Sequence, residues 1–155
     1  MKWGVVLSLL LLCAPVAAHA AGACRPPGRA GTVAPVSTPA RGSPERKAIL
    51  DVLRTFVRRM SNLDVIFDVG HFKAGCGWAW IETEPRSADG TQRYEAVHAL
   101  LARRKGRWQY VESPPEWSEC ESDPDCVDRS RYFRKLAARH PGLPPAIFPV
   151  DAPGD

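Results

Sequence analysis

Apolar residues recur with helical spacing between residues 44 and 61, and five arginines and lysines lie between them. Ser43 is a typical N-cap residue, and Pro44 suits the first helical position. Glu45 favours the positive end of the helix dipole. The pattern predicts a helix over Pro44–Ser61. Its apolar face comprises Ile49, Leu50, Val52, Leu53, Phe56, Val57 and Met60.

Four apolar runs follow this helix and predict four strands. In the second run Trp78 and Trp80 share one face, whereas Ala79 and Ile81 share the other. The third run is apolar on both faces, which is typical of a central strand. A turn at Arg104-Lys105-Gly106 separates the third and fourth strands. The predicted strands are Leu63–Phe72, Cys76–Thr83, Tyr94–Arg103 and Arg107–Glu112.

A second helix is predicted to start at Asp123 or Pro124 and to stop at His140. Its apolar stripe comprises Val127, Phe133, Leu136 and Ala137. The apolar, proline-rich tail Leu143–Val150 is expected to lie extended across the domain. This order of elements predicts the α+β class, in which the N-terminal helix packs on a curved four-stranded antiparallel meander and a second helix lies C-terminal.

The first twenty residues have the pattern of a secretory signal peptide. Met1-Lys2-Trp3 supplies a positive charge, Gly4–Leu12 is apolar, and Ala18-His19-Ala20 matches the small-x-small cleavage pattern. The apolar run is shorter than the roughly 20 residues that span a bilayer, so no transmembrane segment is expected in the mature chain. Residues 1–20 therefore predict a periplasmic or secreted protein.

A lipid anchor is the alternative mode of export. Ala21-Gly22-Ala23-Cys24 resembles the bacterial lipobox, whose cysteine becomes lipidated after cleavage. The lipobox prefers leucine where this chain has Ala21, and the apolar run ends at Ala14–Pro15. A lipoprotein anchored at Cys24 could not pair this cysteine with Cys76.

Composition divides the remaining chain into a tether, one domain and a short tail. Residues 21–43 are rich in proline, glycine and alanine, with Val33 and Val36 as their only large apolar residues. Such a stretch buries too little apolar surface to offset its ordering entropy, so it predicts a flexible tether. Residues 44–150 form a single α+β domain, and residues 151–155 form the tail.

Cysteine usage predicts disulfides. Of five cysteines, Cys13 lies in the signal peptide, and four remain. An even number in a small exported chain is typical of disulfide bonding. Cys120 and Cys126 would close a small loop, which leaves Cys24 with Cys76, although the sequence leaves all three pairings open. Neither paired cysteines nor paired histidines show zinc-ligand spacing, so neither a metal nor a cofactor is predicted.

The charge distribution does not favour a nucleic-acid partner. The chain has 21 basic and 17 acidic residues, and the basic residues are scattered rather than concentrated on one motif. One local concentration, which we call the basic cluster, lies at the predicted hairpin turn. It comprises Arg103, Arg104, Lys105 and Arg107. Such charges commonly block sheet-edge association, and binding of an anionic polymer or lipid is the other interpretation.

Three runs, together with Gly106-Arg107-Trp108, resemble a group of uncharacterised secreted bacterial proteins. The runs cover residues 45–54, 77–81 and 97–101. The layout of this group is similar to cystatin-like and NTF2-like folds. The resemblance extends over residues 44–112 and the Ile147-Phe148-Pro149 segment. It implies the fold and names no activity.

The segment Glu112–Asp128 contains seven acidic residues and no basic one. With its predicted Cys120–Cys126 bond and an aromatic residue, it suits docking of a basic partner. Its alternative interpretation is a capped helix start with solvated acids. The favoured function is an exported non-catalytic binding module of the bacterial envelope, of the inhibitor or immunity type, whose partner is another envelope or secreted protein. Its candidate contact residues are Trp117, Glu116, Glu119 and Glu121.

The alternative function is an NTF2-type cone that binds a small ligand or acts as an enzyme. If the first and third strands curl around a pocket, Asp68, Tyr94, His98 and Trp78 converge in it. A histidine titrates near neutral pH and can serve as an acid or base. The competing interpretation makes His98 a hydrogen-bonded strand residue, and no recognised catalytic motif is present. Aromatic residues at strand spacing are typically core, although Trp108 or Trp117 would suit a binding surface.

Overall fold

The computed structural model describes residues 35–114 and 129–150, which form one antiparallel sheet with helices on both faces. The strand order β1-β2-β3-β4 is that of the predicted meander, and the α+β class is confirmed. The elements are α1 (Pro44–Ser61), β1 (Ile66–Gly75), β2 (Trp78–Arg86), β3 (Val97–Arg104), β4 (Arg107–Glu112), α2 (Arg129–Arg139) and a 3₁₀ turn (Pro145–Ile147).

Several predicted features lie outside the described residues. They are the signal peptide (1–20), the first part of the tether (21–34), Cys24, Glu116, Trp117, Glu119, Cys120, Glu121, the predicted start of the second helix at Asp123 or Pro124, Cys126 and the tail (151–155). Among the described residues, neither helix combines the length and the apolar character needed to cross a membrane.

Helix α1 has the predicted bounds because its caps are local. The Ser43 hydroxyl accepts a hydrogen bond from the Arg46 backbone N–H at 3.2 Å. At the other end, Asn62 adopts a left-handed conformation (φ 57°), and its N–H donates to the Arg58 carbonyl at 2.9 Å. Ile49, Leu53 and Val57 are the buried residues of this helix. Met60 was predicted on the apolar face but is 73% exposed, so the buried stripe ends one turn earlier.

The strands are shifted from their predicted bounds. β1 begins and ends three residues later than predicted, because a two-residue turn at Cys76-Gly77 leaves Gly75 paired with Trp78. Cys76 and Gly77 both have positive φ (58° and 76°), the conformation of a tight hairpin turn. The register slips between Val69 and His71, which places a bulge at Gly70. β2 starts at Trp78 rather than Cys76 and continues to Arg86 rather than Thr83. β3 starts at Val97 rather than Tyr94.

Each face of the sheet carries its own hydrophobic core. On the α1 face, Ile49 and Leu53 pack against a group that includes Ile81 and Leu101. On the opposite face, Trp80 packs with α2 and the C-terminal segment. Its neighbours there are Leu100, Tyr132, Phe133, Leu136, Leu143, Ile147 and Phe148. The prediction that Trp78 and Trp80 share one face and Ala79 and Ile81 the other is confirmed.

The chain packs on the sheet before α1 begins. Ser37 and Ala74 exchange two backbone hydrogen bonds of 2.9 and 2.8 Å, which extends the sheet beyond β1. Val36 lies against Gly75, and the buried Pro39 accepts a hydrogen bond from the Arg46 guanidinium at 3.2 Å. An edge strand offers unpaired backbone groups, and this segment covers part of them. Residues 36–40 of the predicted tether are therefore in contact with the domain.

The C-terminal segment crosses the α2 face with one turn of 3₁₀ helix, rather than fully extended as predicted. The His71 Nε2–H donates to the Ile147 carbonyl at 2.7 Å and joins the segment to β1. The Phe148 ring stacks on Phe133 with centroids 4.3 Å apart, and Phe133 meets Trp80 edge to face at 5.1 Å. These contacts fill the α2 face of the sheet with aromatic side chains.

Candidate functional site

Two of the four residues predicted to converge in a pocket do share a groove. An open groove with a volume of about 510 Å³ lies on the surface beside β1, β2 and β3. Asp68 and His98 both line it, together with Glu82 and Glu84. We call this surface the His98 groove. Its lining is mainly polar and charged, because it lies beside rather than between the two apolar cores.

Tyr94 and Trp78 do not line the His98 groove. Tyr94 precedes β3, where its backbone N–H donates to the Pro85 carbonyl at 2.8 Å. Its hydroxyl lies 3.3 Å from the Gln92 amide oxygen. Trp78 begins β2, and its ring lies 5.2 Å from that of His140. The predicted set of four residues is therefore divided between separate parts of the sheet.

Glu82 holds β2 to α2. Its Oε1 accepts a hydrogen bond from the indole N–H of Trp80 at 2.8 Å and another from the guanidinium of Arg129. Trp80 is completely buried, so Glu82 provides its indole with a needed acceptor. The carboxylate is therefore engaged in the packing of α2 on the sheet.

His98 lies directly opposite Glu82 in the β2–β3 register. Burial lowers the pKa of His98 below its ordinary value of 6.5. The negative charge of Glu82 opposes this shift, and the positive charge of Arg129 adds to it. The lowered pKa keeps the imidazole neutral at pH 7.

The other two carboxylates of the His98 groove are also paired with arginines. Asp68 Oδ1 lies 3.1 Å from Arg86 Nε, and Glu84 Oε2 lies 2.8 Å from an Arg93 nitrogen. Within residues 35–114 and 129–150, no group of three metal-ligating side chains is placed to hold an ion. The groove therefore presents a set of ion pairs that connect strands, loop and helix.

A second groove lies on the opposite face, between the start of α1 and the β3–β4 hairpin. Its volume is about 600 Å³. Ala48, Val52 and Trp108 supply apolar lining, which we call the apolar floor, and Arg103 and Arg107 also line the groove. We call this surface the Trp108 groove. It joins the predicted basic cluster to an aromatic residue and to two positions on α1.

The basic cluster has no acidic partner within the described ranges. None of the ion pairs formed among residues 35–114 and 129–150 includes Arg103, Arg104, Lys105 or Arg107. All four residues are exposed. Lys105 and Gly106 form the tight turn with φ of 51° and 78°, which concentrates the four charges at one end of the sheet. The Trp108 groove thus combines an apolar floor with uncompensated positive charge.

The sequence indicated two components of the Trp108 groove, the basic cluster and Trp108, but not that they line one groove. It placed the basic cluster at a turn, and it named Trp108 or Trp117 as the aromatic residue that would suit a binding surface. The groove itself depends on the packing of α1 against β4, which brings Ala48 and Val52 beside Trp108. No local pattern indicates that juxtaposition, because these residues are more than fifty positions apart in the chain.

Cys76 is the one cysteine among the described residues, and its disulfide bond stays a prediction because every candidate partner lies outside them. Its place in the β1–β2 turn puts the bond at the same end of the sheet as the β3–β4 turn, since Gly77 O accepts from Arg103 N at 2.7 Å. The pairing of Cys76 with Cys24, and that of Cys120 with Cys126, stay predictions.

Comparison of the chain with protein-family models, with curated proteins and with solved structures finds no match. The resemblance to secreted proteins of cystatin-like or NTF2-like layout therefore stays an expectation.

Proposed function

We propose that this chain is an exported, non-catalytic binding module of the bacterial envelope, of the inhibitor or immunity type, which binds another envelope or secreted protein. The observation that carries the proposal is the Trp108 groove. Tryptophan and arginine are the residue types most enriched at the energetic centres of protein interfaces. Here an exposed groove joins both types, and the arginines are not neutralised by the described part of the chain.

The ion pairs of the His98 groove favour a structural role for its carboxylates. A general acid or base must reach its substrate with a free proton site. The carboxylates of Asp68, Glu82 and Glu84 are each held by an arginine. Large side chains are packed on both faces of the sheet, which favours a solid core over an open cone.

The test is co-purification from an envelope extract of the native host, using tagged full-length chain. The groove variant carries Arg103→Gln and Arg107→Gln. A matched control carries Arg134→Gln and Lys135→Gln, which removes two exposed charges from α2 on the opposite face. We expect wild type and control to retain the same partner and the groove variant to lose it. If no partner depends on the groove, the proposal loses its support.

The acidic segment is the other candidate contact surface, through Trp117, Glu116, Glu119 and Glu121. The same extract therefore receives a variant with Glu116→Lys and Glu119→Lys. Loss of the partner with this variant alone would move the contact from the Trp108 groove to the acidic segment. Circular dichroism of every variant excludes unfolding as the cause of a loss.

A small-ligand site in the His98 groove is the second candidate function, because Asp68 and His98 share that groove. A fragment screen by NMR would detect such a site through shifts of the His98 amide and ring protons. Fragments that shift these signals in wild type, but not after Asp68→Asn, would favour it. Shifts confined to the Trp108 indole would favour the binding module.

Export is tested by the intact mass of the protein purified from its native envelope. We expect a chain that starts at Ala21 and gains two hydrogens per predicted disulfide on reduction. A mass that starts at a diacylated Cys24 would instead show a lipoprotein, and it would exclude the Cys24–Cys76 pairing.

A further inference from the structure

We infer that the Trp108 groove binds an acidic segment of the partner protein, in which an apolar or aromatic anchor residue is flanked by carboxylates. This inference rests on the proposed function and names the chemistry of the partner at that site. It follows from three observations: the basic cluster has no ion-pair partner among the described residues, its charges repel one another, and an apolar floor lies beside it.

The positively charged side chains of the basic cluster repel one another. Arg104 and Arg107 are directly paired across the β3–β4 ladder. Like charges opposite each other in a sheet destabilise it, and no carboxylate of the described residues offsets them. Among residues 35–114 and 129–150, Glu45 is the one acidic residue that lines the groove, and it forms no ion pair with Arg103 or Arg107. Carboxylates from a partner would relieve this repulsion.

The apolar floor distinguishes a protein segment from a simple polyanion. Trp108 is only partly buried, packed on its inner side against the core around Ile49 and Leu53. Its remaining surface meets Ala48 and Val52 in a volume of about 600 Å³. That volume suits a side-chain anchor with its flanking backbone. A lipid headgroup or a cell-wall polymer would use the charges and leave this floor uncovered.

Protection of the sheet edge from association does not by itself explain why the basic cluster lies beside the Trp108 groove. Lysine and arginine at a sheet edge deter association through charge, and they need no apolar groove beside them. In this protein two of the charges, Arg103 and Arg107, line the same groove as a tryptophan that remains partly accessible. The combination matches the composition of binding centres, where an aromatic residue is ringed by polar ones.

The test is selection of random peptides by phage display on the intact, oxidised chain. We expect the selected peptides to share one aromatic or aliphatic residue flanked by Asp or Glu. Synthetic versions should bind the Arg103→Gln and Arg107→Gln variant about tenfold more weakly. Trp108→Ala should weaken them about 30-fold. Binding to the Arg134→Gln and Lys135→Gln control should be unchanged. Since Trp108 packs on the core, Trp108→Phe serves as a variant that keeps the packing and is expected to weaken binding less.

The outcomes separate this inference from the proposed function. Peptides that require Trp108 but show no enrichment of acidic residues would overturn the inference and leave a binding groove. Selected peptides that bind without Trp108 and without the basic cluster would contradict both. Vesicles containing phosphatidylglycerol provide the remaining comparison. Binding to them that requires the basic cluster but tolerates Trp108→Ala, with no acidic peptide selected, would overturn the inference in favour of an anionic membrane.

Discussion

Replacement of Glu82 tests whether the acids of the His98 groove are structural. Glu82→Ala removes the acceptor of the Trp80 indole and the partner of Arg129. Trp80 is completely buried, and an unsatisfied buried donor costs about 1–3 kcal/mol. The ion pair joins side chains that are 34% and 17% exposed, so its loss adds about 1 kcal/mol. The free energy of unfolding should fall by about 2–4 kcal/mol.

Two further variants separate the contribution of the hydrogen bond to Trp80 from that of the ion pair with Arg129. Glu82→Gln keeps a carbonyl oxygen for the Trp80 indole and loses only the charge, so we expect a cost of about 1 kcal/mol. Glu84→Ala is the matched control on the same strand. Its ion pair with Arg93 is exposed on both sides (59% and 69%), and its loss should cost less than about 0.5 kcal/mol.

Urea unfolding at pH 7, followed by tryptophan fluorescence and circular dichroism, measures the three free energies. The expected order of destabilisation is Glu82→Ala, then Glu82→Gln, then Glu84→Ala. If Glu82→Ala destabilises no more than Glu84→Ala, the carboxylate does not hold α2 to the sheet. The structural interpretation of the His98 groove would then be refuted, and a ligand-binding role for Glu82 would gain support.

Three other predictions concern strain, charge and turn geometry. Gly75→Ala places a Cβ 2.8–2.9 Å from Val36, so residues 36–40 should leave the sheet edge, and amide exchange at Ala74 should accelerate. Because the pKa of His98 is lowered in the fold, the free energy of unfolding should be greatest above pH 6.5 and should fall as the pH drops through the folded pKa. Urea titrations at several pH values should show a smaller fall for His98→Gln. Lys105→Asn should raise the free energy of unfolding by about 0.5 kcal/mol, because asparagine tolerates φ of 51° better than lysine.

The sequence predicts the elements of this domain better than their ends. The bounds of α1 are correct because Ser43 and the residues beside it cap the helix through local contacts. β1 is displaced by three residues because its end depends on the turn at Cys76-Gly77. That turn needs a cysteine with positive φ, a conformation that its residue type does not indicate. Strand faces were predictable, since alternation alone separates Trp80 from Ile81.

The candidate sites depend on distances between side chains, which the alternation of residues along a strand does not specify. Trp78 and Glu82 lie on the same face of β2, but they are four residues apart along the strand, which is roughly 13 Å. Asp68 on β1 and His98 on β3 line one groove because both strands pair with β2, which lies between them. The Trp108 groove could not be predicted in full, since the contact of α1 with β4 is set by packing across the whole core.

Site-specific photocrosslinking in the native host tests the central claim most directly. A photoreactive residue replaces Arg107 in the Trp108 groove and, in a second strain, Arg134 on the exposed side of α2. We expect an adduct with one protein from position 107, absent at position 134 and lost when Trp108→Ala is added. Equal adducts from both positions, or an adduct at position 107 that persists without Trp108, would contradict the claim that this groove is the binding surface.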